Sequence, residues 1–268
     1  MIQYTQTNQI ILLLLNKKNK MNLKNKKYGL YIATPIYSED VKVGYMDSIV
    51  QLGTQFKKAG IPVVRQHIMH TSLITKARNE CLSMFMNKTD LDYFIFIDSD
   101  ISFDPQDVMK MMNYDLPFIA GAYPKKHLNW REIQRCLLDD VPEDMKELLK
   151  KTSEYTCYEK ENASIKDGLL EVNRVGTGFM MFKRSLIVKL AKKHPELMYK
   201  ENGEKGYGLF ECMIKDKEHL SEDYAFCERV KGIGEKVYID PHLNITHHGG
   251  NINFYGNFKD HKTYADKK

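Results

Sequence analysis

The sequence predicts an α/β fold with a mixed, mostly parallel central sheet, and three observations carry that prediction. Between Tyr28 and Ile97, strand-like apolar runs alternate with stretches of helical spacing, giving strand, helix, strand, helix, strand. Tyr93-Phe-Ile-Phe-Ile97 is an unbroken aromatic and β-branched run, as a strand buried on both faces requires. That run stops abruptly at Asp98-Ser99-Asp100. The crevice beyond the carboxyl ends of the strands is where open α/β sheets place ligands.

Tyr28–Thr34 is the first strand, followed by the loop Pro35-Ile-Tyr37-Ser-Glu-Asp40. From Val43 to Ala59, Met46, Ile49, Val50, Leu52 and Phe56 recur at helical spacing, and Gly60 suits the residue that closes a helix. Ile61–Arg65 is a second strand and His67–Thr71 a polar loop. A helix from Ser72 or Thr75 to about Met86 turns Ala77, Cys81, Leu82 and Phe85 inward. Past Asp100, Asp104 caps a helix whose first turn accepts Pro105. Phe118–Ala122 is a short strand, and Tyr123–His127 is its loop.

Residues 128–168 are polar and irregular, with one helix at Glu143–Lys151, and read as an insertion or lid. Leu169–Arg174 and Phe179–Phe182 are strands around Val175-Gly-Thr-Gly178, and Ser185–His194 is a helix. Residues 199–220 form a glycine- and charge-rich loop. Ser221-Glu222-Asp223 caps a helix ending near Gly232, Lys236–Ile239 is the last strand, and the tail carries His247-His248.

At 268 residues, 43% hydrophobic and 28% charged, the composition is that of one globular domain. Its bounds are expected at 28–250, after a disordered basic extension at 1–27 and before a tail at 251–268. The net charge of +5 is concentrated toward lysine-rich ends, and no zinc-finger or aromatic-basic RNA motif occurs, so no nucleic-acid partner is expected. The apolar run Ile10–Leu15 is far too short to span a bilayer. Five cysteines without a CxxC motif suit reduced thiols in a cytoplasmic setting.

Two aspartates at the end of a buried strand need a counter-charge, because unpaired buried carboxylates are costly. A divalent cation is the simplest one. Hard oxygen ligands suit Mg²⁺ or Mn²⁺, ions that also hold substrate phosphates. The competing explanation is a solvated turn with a helix cap.

Several signals occur in one order. They are Thr34-Pro35-Ile-Tyr37, Lys76-Ala-Arg78-Asn79-Glu80, Asp98-Ser99-Asp100, Gly176-Thr177-Gly178, Glu222-Asp223, and a late histidine, His247 or His248. Together they resemble the GT-A nucleotide-sugar glycosyltransferases of the family-2-like kind, over about residues 28–248. The resemblance implies a Rossmann-like α/β/α sandwich, a UDP- or GDP-sugar donor, an Mn²⁺ or Mg²⁺ cofactor, and a glycan, protein or small-molecule acceptor.

The resemblance also implies roles. Asp100 is the direct metal ligand, Asp98 holds the ribose or reaches the metal through water, with Ser99 between them, and His247 is favoured over His248 as a further ligand. Arg78 contacts the nucleotide or its phosphates, for which a guanidinium is well shaped. Thr34, Pro35 and Tyr37 seat the base and ribose, with Arg65 a weaker candidate for the same pocket. Gly176, Thr177 and Gly178 let backbone approach the sugar closely. Asp223, paired with Glu222, is the base that takes the acceptor proton in an inverting reaction. The rival account of that pair is helix capping by Ser221 and the first-turn acids. Tyr123, Lys125 and Trp130 are candidates for the acceptor side.

Two alternatives come from other classes. A phosphatase of the haloacid-dehalogenase type also places a D-x-D after a hydrophobic strand, with the first aspartate as nucleophile. A non-catalytic nucleotide-sugar or glycan-binding protein would carry a degenerate version of the same site.

Overall fold

In a computed structural model of the chain, the described residues are 28–267, apart from 140, 141, 143 and 262–265. The expected N-terminal extension at 1–27 lies outside them. In chain order the first half forms β1 (Leu30–Ile36), α1 (Val43–Lys58), β2 (Val63–Met69), α2 (Ile74–Lys88), β3 (Tyr93–Ile97), β4 (Ile101–Ser102), α3 (Pro105–Asn113), β5 (Phe118–Ala120), α4 (Trp130–Asp139) and α5 (Met145–Thr152). The second half forms β6 (Cys157–Glu159), β7 (Ile165–Lys166), β8 (Leu170–Val175), β9 (Phe179–Lys183), α6 (Arg184–Lys193), β10 (Met198–Glu201), β11 (Glu204–Tyr207), β12 (Met213–Lys215) and β13 (Glu218–Leu220). It closes with α7 (Glu222–Gly232), β14 (Val237–Ile239), β15 (Asn244–His248), β16 (Asn253–Asn257) and α8 (Phe258–His261).

The central sheet has eight strands in the order β2-β1-β3-β9-β5-β14-β8-β6. β9 and β8 run against the other six, so the sheet is mixed and mostly parallel at its core. β3 sits between β1 and β9, and all five of its residues are buried. Its side chains alternate between two cores, as a period of two demands. Phe94 and Phe96 pack with Phe85 of α2, Phe182 of β9 and Phe226 of α7. Tyr93, Ile95 and Ile97 pack with Leu52 and Phe56 of α1 and Val108 of α3. Helices therefore cover both faces, which makes a Rossmann-like α/β/α sandwich.

Ile49, Leu52 and Phe56 of α1 and Ala77, Cys81, Leu82 and Phe85 of α2 are buried as expected, but Met46 and Val50, part of the same apolar spacing in α1, are exposed. Asp104 accepts the Gln106 N–H at 2.9 Å, so the expected cap forms. Several expectations need correction. β1 continues through Pro35 to Ile36 instead of stopping at Thr34. Its pairing with β3 ends at Ala33–Phe96, so on that side no partner requires the N–H that proline lacks. β2 likewise runs on through His67 to Met69, where a loop was expected. It is an edge strand with mostly exposed side chains, so polar residues do not break it.

Residues 128–168 are more ordered than their polarity suggested. They hold α4 and α5, and β6 closes one edge of the main sheet. The expected loop at 199–220 is two β-hairpins. Asn202 and Gly203 turn the first, with φ of 50° and 82°, and Asp216 and Lys217 the second, with φ of 53° and 67°. Two consecutive positive φ values are what a tight hairpin turn uses. β14 is not the last strand either. β15 pairs with β16 on one side and β4 on the other, and this small sheet positions the late histidines.

Candidate functional site

The Asp98-Ser99-Asp100 turn hangs at the end of β3 and is pinned from three directions. The Asp98 N–H donates to Gly178 O at 3.0 Å, and the Ile101 N–H donates to Asp98 O at 3.0 Å, which closes the turn. Ser99 O accepts the Lys42 N–H at 3.0 Å, and Asp100 O accepts the His248 N–H at 2.8 Å. The start of β9, the approach to α1 and the end of β15 thus fix the two carboxylates.

Arg78, in the second turn of α2, joins the first carboxylate to the acidic pair. Its Nη2 donates to both oxygens of Asp98, at 3.1 and 3.2 Å, and its Nε donates to Glu222 Oε1 at 3.3 Å. The side chain is 4% exposed, and its guanidinium carbon lies 4.9 Å from the centre of the Phe96 ring. Burial works against its charge, but Asp98 and then Glu222 outweigh burial and raise its pKa. Burial pushes Glu222 up, Arg78 pulls it down, and Asp223 adds to the rise, so the carboxyl sits above its ordinary value. Arg78 was expected to reach phosphate; here its Nε and Nη2 are bonded to carboxylates. Its Nη1 is buried without a hydrogen-bond partner.

Asp100 forms the second centre, with Lys126 and His247. Lys126 Nζ hydrogen-bonds Asp100 Oδ2, and His247 Nε2 lies 3.5 Å from Asp100 Oδ1. The His247 Nδ1 is 2.8 Å from Pro124 O, a partner that only accepts, so Nδ1 carries the proton. Nε2 is then the ring nitrogen turned toward Asp100. Burial raises the Asp100 pKa, but the bonds to His247 and Lys126 more than offset it and bring it down to about 2.

Neighbouring residues on a strand point to opposite faces, and this separates the two histidines. His248 bonds Ser102 Oγ at 2.8 Å and Asn253 Oδ1 at 3.0 Å, packed where a Cβ on Gly44 would lie 2.4 Å from its Nε2. It fastens the small sheet. His247 is the one that faces the carboxylates.

An open cleft of about 230 Å³ lies beside this turn. Pro35, Ile36 and Tyr37 line one wall, Thr71, Ser72 and Ile74 another, and the Asp98–Asp100 turn completes it. Tyr37 is 73% exposed, so its ring is available at the cleft. Two expected members of this pocket are not in its lining. Thr34 is fully buried, and its hydroxyl is bonded to the Tyr45 hydroxyl at 2.7 Å, because a buried hydroxyl needs a partner. Arg65 lies within the exposed edge strand β2 instead of at its end.

The glycines of Gly176-Thr177-Gly178 also have a different reason. A Cβ at either position would come within 2.6 Å of Tyr123. Both N–H groups are already used: that of Gly178 donates to Tyr123 Oη at 2.9 Å and that of Gly176 to Thr156 O at 2.8 Å. The close approach is to the buried Tyr123 ring, and Thr177 is buried as well. Tyr123, a candidate for the acceptor side, is buried against this turn. It packs edge-on against the His247 ring, with centroids 5.2 Å apart. Lys125 pairs with Glu154 at 3.3 Å, while Trp130 is 66% exposed at the start of α4.

Asp223 sits in the first turn of α7, where Oδ1 accepts from Ser221 Oγ and from the Tyr224 N–H at 2.8 Å. Ser221 stands at the N-cap but makes no side-chain bond to the helix backbone, and the two acids occupy the first turn, as the capping account also requires. Lys126 and Tyr45 were not singled out in the sequence. Lys126 carried a signal, a lysine pair in the loop after a central strand. Tyr45 carried none, because a tyrosine in an amphipathic helix reads as core.

Among the described residues, no group of three or more His, Cys, Asp or Glu side chains is assembled to hold a metal ion. Asp100 and His247 form a two-ligand start. Nε2 of His247 is turned toward Asp100 while Nδ1 is fixed on a carbonyl, the usual arrangement behind a metal-binding histidine. Among the described residues, no helix is long and apolar enough to cross a membrane.

No protein-family model matches the sequence, and no curated protein matches it. Among solved structures the chain is similar to A197 from STIV, with a TM-score of 0.50 and 19% identity, over 90% of this chain and 98% of that one. Likeness at this identity shows a shared fold and nothing finer. Two structures of S. aureus TarS align at a TM-score of 0.38, with 10% and 12% identity, over 85% of this chain and 36% and 60% of theirs. That score is too low to establish a common fold.

Proposed function

We propose that this chain is a glycosyltransferase of the GT-A kind, moving a sugar from a nucleoside diphosphate sugar to an acceptor hydroxyl. One observation carries the reading. Arg78, Asp98, Asp100, Glu222 and His247 come from four separate stretches of chain, yet ion pairs and hydrogen bonds join them into two adjoining centres at the end of β3. A cleft with an exposed tyrosine on its wall lies alongside.

The residues fit an Mn²⁺ or Mg²⁺ cofactor in part. Asp100 and His247 would hold it, Asp98 would reach it through water, and diphosphate oxygens and water would complete the shell. When bound, the ion would supply positive charge to the departing diphosphate. The chain's own groups do the rest. The walls at Pro35, Ile36 and Tyr37 receive the base and ribose. Arg78 holds Asp98 and Glu222 in place. Asp223 would take the acceptor proton as the hydroxyl attacks the far face of the anomeric carbon and the nucleoside diphosphate departs, an inverting displacement. The phosphatase alternative needs Asp98 as a free nucleophile, whereas both its oxygens accept from Arg78.

The test is thermal unfolding with UDP and with GDP, each with Mn²⁺ and with EDTA, followed by turnover of a panel of UDP- and GDP-sugars. A ligand held by the native state at a hundredfold excess over Kd adds about 2.7 kcal/mol of stability. A midpoint rise for one nucleotide, present with Mn²⁺ and lost in EDTA, is expected. No rise with either nucleotide, together with phosphate release from a phosphomonoester, would return the phosphatase reading.

A further inference from the structure

Asp98 and Glu222 share Arg78 as their counter-charge, but Asp100 has a cation of its own, Lys126. The loop that carries it is firmly held. Pro124 bridges to Tyr155 and accepts the His247 N–H, and the Lys125 N–H donates to Glu154 O at 2.7 Å. The two flanking basic residues turn away together: Lys125 and His127 both pair with Glu154, at 3.3 and 3.2 Å. Lys126 turns to the site instead, with a side chain that is 35% exposed. A fixed backbone and a flexible four-carbon stem allow the ammonium to change partner while the loop stays still.

We propose that Lys126 is an exchangeable resident cation: it neutralises Asp100 in the unliganded protein, and it passes to the donor diphosphate when a divalent ion takes Asp100. The inference rests on the transferase reading and deepens it. An ion held by Asp100 and His247 would place its charge beside the ammonium, and like charges at that range disfavour each other. A diphosphate relieves the conflict, since its oxygens accept from the ammonium while they also complete the ion's shell. Ion and nucleotide binding are therefore coupled through Lys126, and the coupling is reciprocal.

The experiment compares wild type with Lys126→Met and Lys126→Arg. Binding of Mn²⁺ alone is measured by titration calorimetry and by the electron spin resonance of the free ion. Binding of UDP and GDP is then measured in saturating Mn²⁺. Lys126→Met should bind Mn²⁺ alone about tenfold more tightly and the nucleoside diphosphate about tenfold more weakly. Lys126→Arg should stay close to wild type in both. Unchanged or weaker Mn²⁺ binding by Lys126→Met would overturn the hold on Asp100. Tighter Mn²⁺ binding with unchanged nucleotide affinity would overturn the transfer to diphosphate. If the wild type binds neither nucleotide, the transferase reading fails, and the Mn²⁺ titration still decides whether Lys126 guards Asp100.

Discussion

Arg78 Nε meets Glu222 Oε1 at 3.3 Å across 144 residues of sequence, and the same guanidinium grips Asp98. A single buried cation thus ties the end of β3 to the start of α7. Two partly buried carboxylates share this one positive group, so the cluster keeps a net negative charge.

Replacing Arg78 by Met should destabilise the fold by about 1–3 kcal/mol, because two partly buried carboxylates lose their counter-charge and their hydrogen bonds. Lysine should recover part of the loss, since an ammonium is a point charge and does not offer the fork that reaches both acids. Urea unfolding of the three proteins measures this. A loss below about 1 kcal/mol for Arg78→Met would show that the pair is open to solvent.

Glu222 gives the fold a pH dependence of definite sign. Burial, against the pull of Arg78 and with the push of Asp223, holds its folded pKa above the ordinary value. The folded chain therefore binds this proton more tightly than the unfolded chain. The contribution of Glu222 falls as pH rises from the unfolded value through the folded one. Glu222→Gln removes the term, so its stability relative to wild type should improve on going from about pH 4.5 to pH 7.5. A relative stability that is flat or declines over that window would place Glu222 in an unperturbed setting.

Asp223→Asn separates chemistry from structure. Its carboxylate accepts from Ser221 and Tyr224, which an amide oxygen also does, so the helix start should survive. Removing a general base costs about 10²–10⁴-fold in rate. Turnover should fall by that order while nucleotide affinity stays within about twofold by titration calorimetry. Full turnover would leave Asp223 with a local structural role.

Burial leaves a periodic mark on the sequence, and this is why much of the fold was legible. The spacing of Leu52 and Phe56, or of Ala77, Cys81 and Phe85, and the unbroken run at Tyr93–Ile97 each report one face or one strand. Asn202-Gly203 also carried a hairpin signal within a stretch that looked like loop. The site was legible as a set of residue types at element ends, and the neighbourhood of Asp100 and His247 was among its pairs. What no local pattern records is the partner a polar group takes. Thr34 looked available and is committed to Tyr45, whereas Lys126, not singled out in the sequence, faces Asp100. The Lys126 pairing follows from the path of the loop after β5, and the place of His247 from the short β4–β15 register, both of which join residues far apart in sequence.

The glycine at 178 offers a test of how the second centre is supported. A Cβ there would lie 2.6 Å from the Tyr123 ring, which is 7% exposed and has no open side to retreat into. The same ring packs edge-on against His247. Gly178→Ala should therefore cost about 1–3 kcal/mol by overpacking and displace Tyr123 toward His247. Tyr123→Phe alone should cost about 1–3 kcal/mol for a different reason, by leaving the buried Gly178 N–H without its acceptor. If the two share one cause, the ring's fit over the Gly176–Gly178 turn, their energies should fail to add. The double variant should be less destabilised than the sum by at least about 0.5 kcal/mol. Urea unfolding of the four proteins completes the cycle, and strict additivity would mean that Tyr123 moves aside freely and does not brace His247.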